Sequence, residues 1–279
     1  MKSIIHVRRN AGRALLYLIL TAAAISMVFP LYTGVVTSLL GPENLSTYPP
    51  KLFPVEFRLQ NYIDATRQAP LLRFILNSFI QSSGVMVLQL VLASLAAYAF
   101  AFLPFKGKQF IFLVFLSTMM IPWESTIIPN YLFIQKIGWD DTYPGLIAPF
   151  IATAFGTFLL RQFFMTLPRD LYDAAIIDGC SHLRYLATIV LPLSRPALGT
   201  LAVYSFLQTY NQYLWPLLIT NSTDMRTVQI GITMLQEFER EAWQIVLAGV
   251  VTVMIPTLVL FVVANRQLIR GLTAGALKG

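Results

Sequence analysis

Long apolar runs separated by short polar clusters set the layout of this chain. The first run, from about Ala14 to Leu40, follows Lys2, Arg8, Arg9 and Arg13. A secretory signal has only about 7–15 apolar residues before a cleavage site, so this run reads as an uncleaved membrane span, kinked at Pro30. Further runs extend from about Phe74 to Leu103, Phe110 to Ile134, Gly145 to Phe164, Pro196 to Thr220 and Gln244 to Ala264. Each is close to the roughly 20 residues that cross a hydrocarbon core. The expected fold is therefore an all-α membrane protein with six transmembrane helices, a single transmembrane domain over 1–279.

Residues 41–73 form a polar, proline-rich segment with one short helix expected at Asn61–Arg67. Residues 167–196 form the longest polar interruption in the second half, LPRDLYDAAIIDGCSHLRYLATIVLPLSRP. Pro168 suits a first helical turn, and Asp170 suits the positive end of the helix dipole. Leu171, Ala174, Ala175 and Ile177 recur at helical spacing with Asp173 and Asp178 between them, and Gly179 can take the left-handed conformation that ends the helix. A second short helix carries Leu183, Leu186, Ile189 and Val190 and is expected to stop at Pro192. The pair is too short to form its own core and needs a partner.

Composition agrees with a membrane protein. Of the 279 residues 56% are hydrophobic and only 12% charged, against about 25% charged in soluble domains. The net charge of +7 does not indicate nucleic acid, because its distribution is one-sided. With the N-terminus, Lys106, Lys108, residues 167–196 (with Arg161) and the tail on one side, that side holds 13 Lys/Arg and three Asp; the other holds seven Lys/Arg and nine acids. Basic residues favour the cytoplasmic face, so both termini and the 167–196 hairpin are expected there, with 41–73 outside. The single Cys180 excludes an internal disulfide.

Glu124 lies in MMIPWESTIIPNYL between Pro122 and Pro129. A carboxylate at membrane depth is costly and usually faces protein or water. Counted along a straight helix from Phe110 it sits roughly 21 Å up, and Asn211, counted from Pro196, roughly 22 Å. Glu124, Asn211, Gln212 and Tyr213 are thus candidates for a polar translocation path, or for a structural hydrogen-bond cluster between helices. His6 and His182 both lie outside the spans, so they supply no metal cluster or proton relay. Gly107-Lys108 is followed by Gln109 where a phosphate loop needs Ser or Thr, and no G-x-S-x-G or H-E-x-x-H is present. No enzyme chemistry is expected of this chain, and no bound cofactor.

Asp173-Ala174-Ala175, three residues, Gly179, nine residues, then Ile189-Val190-Leu191-Pro192 resembles the cytoplasmic coupling loop of ABC-importer permeases. The family pattern begins with Glu, and Asp173 is the one departure. The resemblance extends over nearly the whole chain to carbohydrate-uptake permeases. Within them FLLRQFFMTLP and NQYLWPLLIT look most like the glycerol-3-phosphate branch. It implies one of two different membrane subunits, working with a dimeric ATPase that holds ATP and magnesium, and with an external solute-binding protein. Asp173, Ala174, Ala175, Asp178, Gly179, Leu191 and Pro192 would then form the ATPase-docking surface. Residues 41–73 would meet the binding protein, and the tail 265–279 would reach the ATPase. The implied solute is glycerol-3-phosphate or a glycerophosphodiester, with a disaccharide or oligosaccharide as the competitor. An ATP-independent secondary transporter is the rival from another class; it would need an ion-coupling carboxylate, for which only Glu124 is available, and usually internal repeats.

Overall fold

A computed structural model describes residues 2–45, 47–238 and 242–273. The described residues are helical and joined by turns, without strands. Three helices are long and apolar enough to cross a membrane: Gly12–Ser38, Leu71–Phe102 and Trp243–Val262. Three more stretches qualify only as bent pairs. These are Lys108–Met120 with Trp123–Lys136 at 94°, Tyr143–Phe150 with Ala154–Phe164 at 51°, and His182–Leu193 with Arg195–Tyr210 at 83°. Counting each pair once gives six.

The bends correct the expectation of straight third, fourth and fifth spans. Pro122 lacks an N–H and forces the preceding Ile121 into an extended conformation (φ −84°, ψ 114°), so the helix cannot run through it. Pro129 lies inside the Trp123–Lys136 helix without ending it. The depth counted for Glu124 along one straight helix therefore does not hold, because Glu124 opens a new helix after the turn. In the fourth stretch Thr153 is extended and its Oγ1 accepts from the Gly156 amide, restarting the chain as a helix. The Arg195–Tyr210 helix, with Pro196 at its start, ends before Asn211, and a separate short helix, Leu214–Ile219, follows.

Two compact units are distinguished, residues 1–70 with 232–254, and residues 71–231 with 255–279. In the first, the Lys2–Ser38 helix contains Pro30 without a break in the helix assignment. Its C-terminal carbonyls are taken up by the loop. The buried Asn61 Nδ2 donates to Ser38 O and Leu40 O, both at 2.9 Å, replacing the partners a helix end lacks. Asn61 belongs to the Gln60–Gln68 helix, one residue wider at each end than the sequence suggests. Glu56 accepts from the Gly41 amide and from Asn44 Nδ2, and these bonds hold its carboxyl below the usual carboxylate range.

The second unit is built on the Leu71–Phe102 helix, which packs against Ala154–Phe164 and Arg195–Tyr210. Its outward residues, such as Leu72, Leu76, Phe79, Val87 and Val91, remain exposed, as lipid-facing positions do. The buried face carries Asn77, Ser78, Gln81, Ser82 and Ser94. Each polar group on such a helix needs a partner inside the protein. Asn77 Nδ2 donates to Asp224 O and Arg226 O, and Ser78 Oγ accepts from the Val228 amide. The segment that begins at Asp224 carries the helix Val228–Phe238. There Gly231 faces Phe74 so closely that a Cβ would collide with its ring. The expected tail has a helical backbone as far as Thr273, and residues 274–279 lie outside the described residues.

Candidate functional site

The two breaks around Pro122 and Asn211–Tyr213 open onto one cavity of about 700 Å³ in the second unit. Irregular backbone at membrane depth is tolerated where it lines a cavity or is buried in protein. Glu124, Gln212 and Tyr213 line it. Asn211 does not: it borders a neighbouring groove with Tyr204, Leu207 and Gln208, donates through Nδ2 to Leu207 O at 2.8 Å, and accepts from Gln229 Nε2. The structure thus brings together three of the four expected path residues.

The floor of the cavity is aromatic. Trp123, Phe150 and Trp215 pack with ring centroids 4.6 to 6.0 Å apart. Trp215 is 1% exposed, and its Nε1 donates to Gly145 O at 3.1 Å. It is therefore a buried anchor rather than an interfacial one. Gly145 must be glycine, since a Cβ would run into the Trp139 carbonyl. The turn before it is fixed by Asp141 (φ 55°), whose carboxylate accepts from the Asn221 and Ser222 amides at 2.9 and 3.1 Å. Burial pushes the Asp141 pKa up, but bonds from Ser222 and Asn221, with Arg226 nearby, outweigh it and hold the pKa below the usual value.

The walls are glutamine-rich. Gln89 Nε2 donates to Phe150 O at 2.6 Å and its Oε1 accepts from Ser205 Oγ at 2.7 Å. Gln81 Nε2 donates to Gln212 Oε1 at 3.0 Å. Of these, Gln212 is expected from the sequence, whereas Gln81, Gln89 and Ser205 are not. For Gln81 and Gln89 the signal is the polar set at 77, 78, 81, 82 and 89, which recurs at helical spacings of three, four and seven within one apolar run.

The hairpin residues sit at the other end of the same unit. The Arg169–Ile177 helix is preceded by Pro168 at the N-cap, one position outside the expected first turn, and Asp170 lies in its first turn. It ends in a Schellman turn: the Gly179 amide donates to Ile176 O at 3.0 Å and the Cys180 amide to Ala175 O at 2.8 Å. Gly179 has φ +70° and nothing within 4 Å of where a Cβ would stand. Beyond it the chain is helical from His182 to Leu193, including one π turn. Pro192 does not stop this helix, which runs one residue further, to Leu193. The break comes at the buried Ser194.

One face of the hairpin is fixed to the unit's core. Ala175, Tyr185, Leu186 and Val190 pack with Ala97, Tyr98, Leu160 and Phe164. Tyr172 stacks on Phe102 at 5.6 Å and on His182 at 6.3 Å, and Tyr98 Oη and His182 Nδ1 share a hydrogen bond of 3.0 Å. Lys108 Nζ donates to Ala101 O and Leu103 O, and Arg161 Nε to Phe100 O, so two cations close the end of the long helix. The opposite face is open. Asp173, Ala174, Asp178, Gly179 and Pro192 are exposed and Leu191 is half-buried. Ile176, Ile177 and Leu183 are 45%, 84% and 69% exposed, an apolar patch with acids beside it.

Residues 68–270 match the family model described as "binding-protein-dependent transport system inner membrane component". The chain is 33% identical over 273 residues to the sn-glycerol-3-phosphate transport system permease protein UgpE of Agrobacterium fabrum, covering 95% of this chain and 97% of the relative. The UgpE protein of Escherichia coli O1:K1 is 37% identical over 254 residues, covering 88% and 90%. Among solved structures, a bacterial ABC transporter involved in the import of the acidic polysaccharide alginate superposes with a TM-score of 0.82 at 20% identity, over 92% of this chain and 96% of that one. The same kind of transporter bound to its alginate-pentasaccharide-loaded periplasmic protein gives 0.63 at 16% identity, over 92% and 95%. The fold, the broken spans around a polar cavity and the full-length likeness agree: this chain belongs to the binding-protein-dependent transport system inner membrane components, as a multi-pass permease of an ABC importer and not an enzyme.

Proposed function

We propose that this chain forms half of the translocation path for glycerol-3-phosphate or a glycerophosphodiester, and couples that path to ATP hydrolysis on a separate subunit. The observation that carries the reading is the pairing of features in one compact unit. A cavity bearing Glu124, Gln212 and Tyr213 lies at one end and an exposed acidic and apolar hairpin at the other. The solute assignment is supported by the names of the relatives, which span nearly the full chain.

The remaining parts of the machine follow from this reading. The exposed face of Asp173–Gly179, with Leu191 and Pro192, docks on one subunit of a dimeric ATPase; ATP and magnesium belong there, and this chain binds no cofactor. Both termini lie in the cytoplasm, with the tail 265–279 beside that ATPase. A second, different permease completes the cavity, and residues 41–73 meet an external solute-binding protein. Closure of the ATPase dimer pulls the hairpin. Because Tyr172 and Ala175 are packed on the core that includes Phe102 and Phe164, the pull reaches the spans and alternates access to the cavity.

The test is uptake by the complete importer in proteoliposomes, with its own binding protein and labelled glycerol-3-phosphate, glycerophosphocholine or maltose. ATP-dependent uptake of either glycerol phosphate, with maltose excluded, is the expected result. Uptake of maltose alone would replace the solute with an oligosaccharide, a second reading favoured by the absence of a cationic side chain among the described cavity-lining residues. Uptake without the ATPase would overturn the coupling.

A further inference from the structure

We infer that the cavity wall supplied by this chain receives the uncharged, hydroxyl-bearing end of the solute, and that the phosphate is held on surfaces outside this chain. The inference rests on the glycerol-3-phosphate reading and adds an orientation to it.

Among the described residues lining the cavity there is one acid, Glu124, and no Lys, Arg or His. A phosphate carries up to two negative charges and is recognised by Arg, Lys or converging backbone amides. Placed against this wall it would meet a carboxylate with no cation to offset the repulsion. The basic residues Lys108 and Arg161 cannot serve, since both donate to carbonyls at the end of the Leu71–Phe102 helix, and Arg161 also lies 4.1 Å over the Phe112 ring.

What the wall does offer suits a polyol. Gln89, Ser205 and Gln212 are held by one another, by Gln81 and by the Phe150 carbonyl, so their positions are set before any solute arrives. Glu124, Gln208 and Tyr213 line the cavity with no side-chain hydrogen-bond partner among the described residues. A carboxylate, an amide and a phenol can accept from and donate to vicinal hydroxyls. Trp123 and Phe150, backed by the buried Trp215, present apolar ring surface to the C–H groups between them.

Opposite signs separate the two orientations. Glu124→Gln and Glu124→Lys are placed in the complete importer, and uptake of glycerol-3-phosphate is measured per assembled complex with saturating binding protein. With the glycerol end against this wall, Glu124→Gln lowers uptake and Glu124→Lys lowers it further, by about ten- to a hundredfold, since a strong acceptor has become a donor. With the phosphate against this wall, the added ammonium removes repulsion and uptake equals or exceeds wild type, which overturns the inference. Gln208→Lys repeats the charge test at a second open position should Glu124→Lys fail to assemble. If the wild-type importer carries maltose and not glycerol-3-phosphate, the solute reading fails alone. Loss of maltose uptake in the same variants then upholds an uncharged-polyol wall, and unchanged uptake rejects it.

Discussion

Replacing Gly179 isolates backbone conformation from side-chain packing at the hairpin turn. The residue sits at φ +70° with nothing within 4 Å of a Cβ, so alanine meets no neighbour within this chain. Its whole cost is the left-handed backbone, roughly 1–2 kcal/mol for an L-residue. If the strain is relieved by opening the turn, the population of the Schellman geometry relative to open forms falls by about five- to thirtyfold. Asparagine tolerates this region better than alanine, while β-branched valine tolerates it least. Stimulation of ATP hydrolysis by the loaded binding protein should therefore fall in the order Gly, Asn, Ala, Val. The order is diagnostic because asparagine is larger than alanine. Should Gly179→Asn couple worse than Gly179→Ala, side-chain size at the docked face would be the controlling variable and the backbone argument would fail. Full coupling in the alanine variant would refute it as well.

On the docking reading, in which Asp173 meets a basic residue of the ATPase, Asp173→Ala should lower uptake per ATP hydrolysed while Asp173→Glu retains it, because removing one member of a buried charge pair costs about 2–5 kcal/mol; equal coupling in both variants would exclude that contact. Trp215→Phe leaves the buried Gly145 carbonyl without its donor, a loss of about 1–3 kcal/mol. It should appear as a lower midpoint for loss of monodisperse complex on heating, and an unchanged midpoint would count against the bond. The Asp141 contribution has a definite pH sign. Its folded pKa is lowered, so its stabilisation is complete above the ordinary carboxylate value near about 4 and is lost as pH falls through the folded value. Hydrogen exchange at the Asn221 and Ser222 amides should accelerate on acidification through that range beyond the intrinsic trend, and Asp141→Asn should remove the dependence.

Apolar run length located the spans because the bilayer imposes one minimum length on every crossing segment. It could not reveal the bends, since a run stays apolar on both sides of a break. Pro122 was visible in the sequence, but whether it kinks a helix or ends one is decided by surroundings; Pro30 and Pro129 remain inside helices while Pro122 separates two. That ambiguity misled the depth reckoning for Glu124 without displacing it from the cavity. Asn211 enters the candidate set by its counted depth, with Gln212 and Tyr213 beside it, yet the chain turns at the end of its helix, so neighbours in sequence point to different hollows. The hairpin was far more legible. Its motif fixes a left-handed glycine and a one-sided apolar face, both of which are local properties. What the motif omitted is the aromatic support beneath it, because Tyr98 and Phe102 come from a helix some 70 residues earlier in the chain.

That support limits how such proteins can be recombined. Tyr172 lies between Phe102 and His182, and His182 reaches Tyr98. Transplanting residues 167–196 into another permease would leave this aromatic seat behind. A functional chimera would have to carry the C-terminal end of the Leu71–Phe102 helix with it, so the exchangeable part is a discontinuous pair of segments.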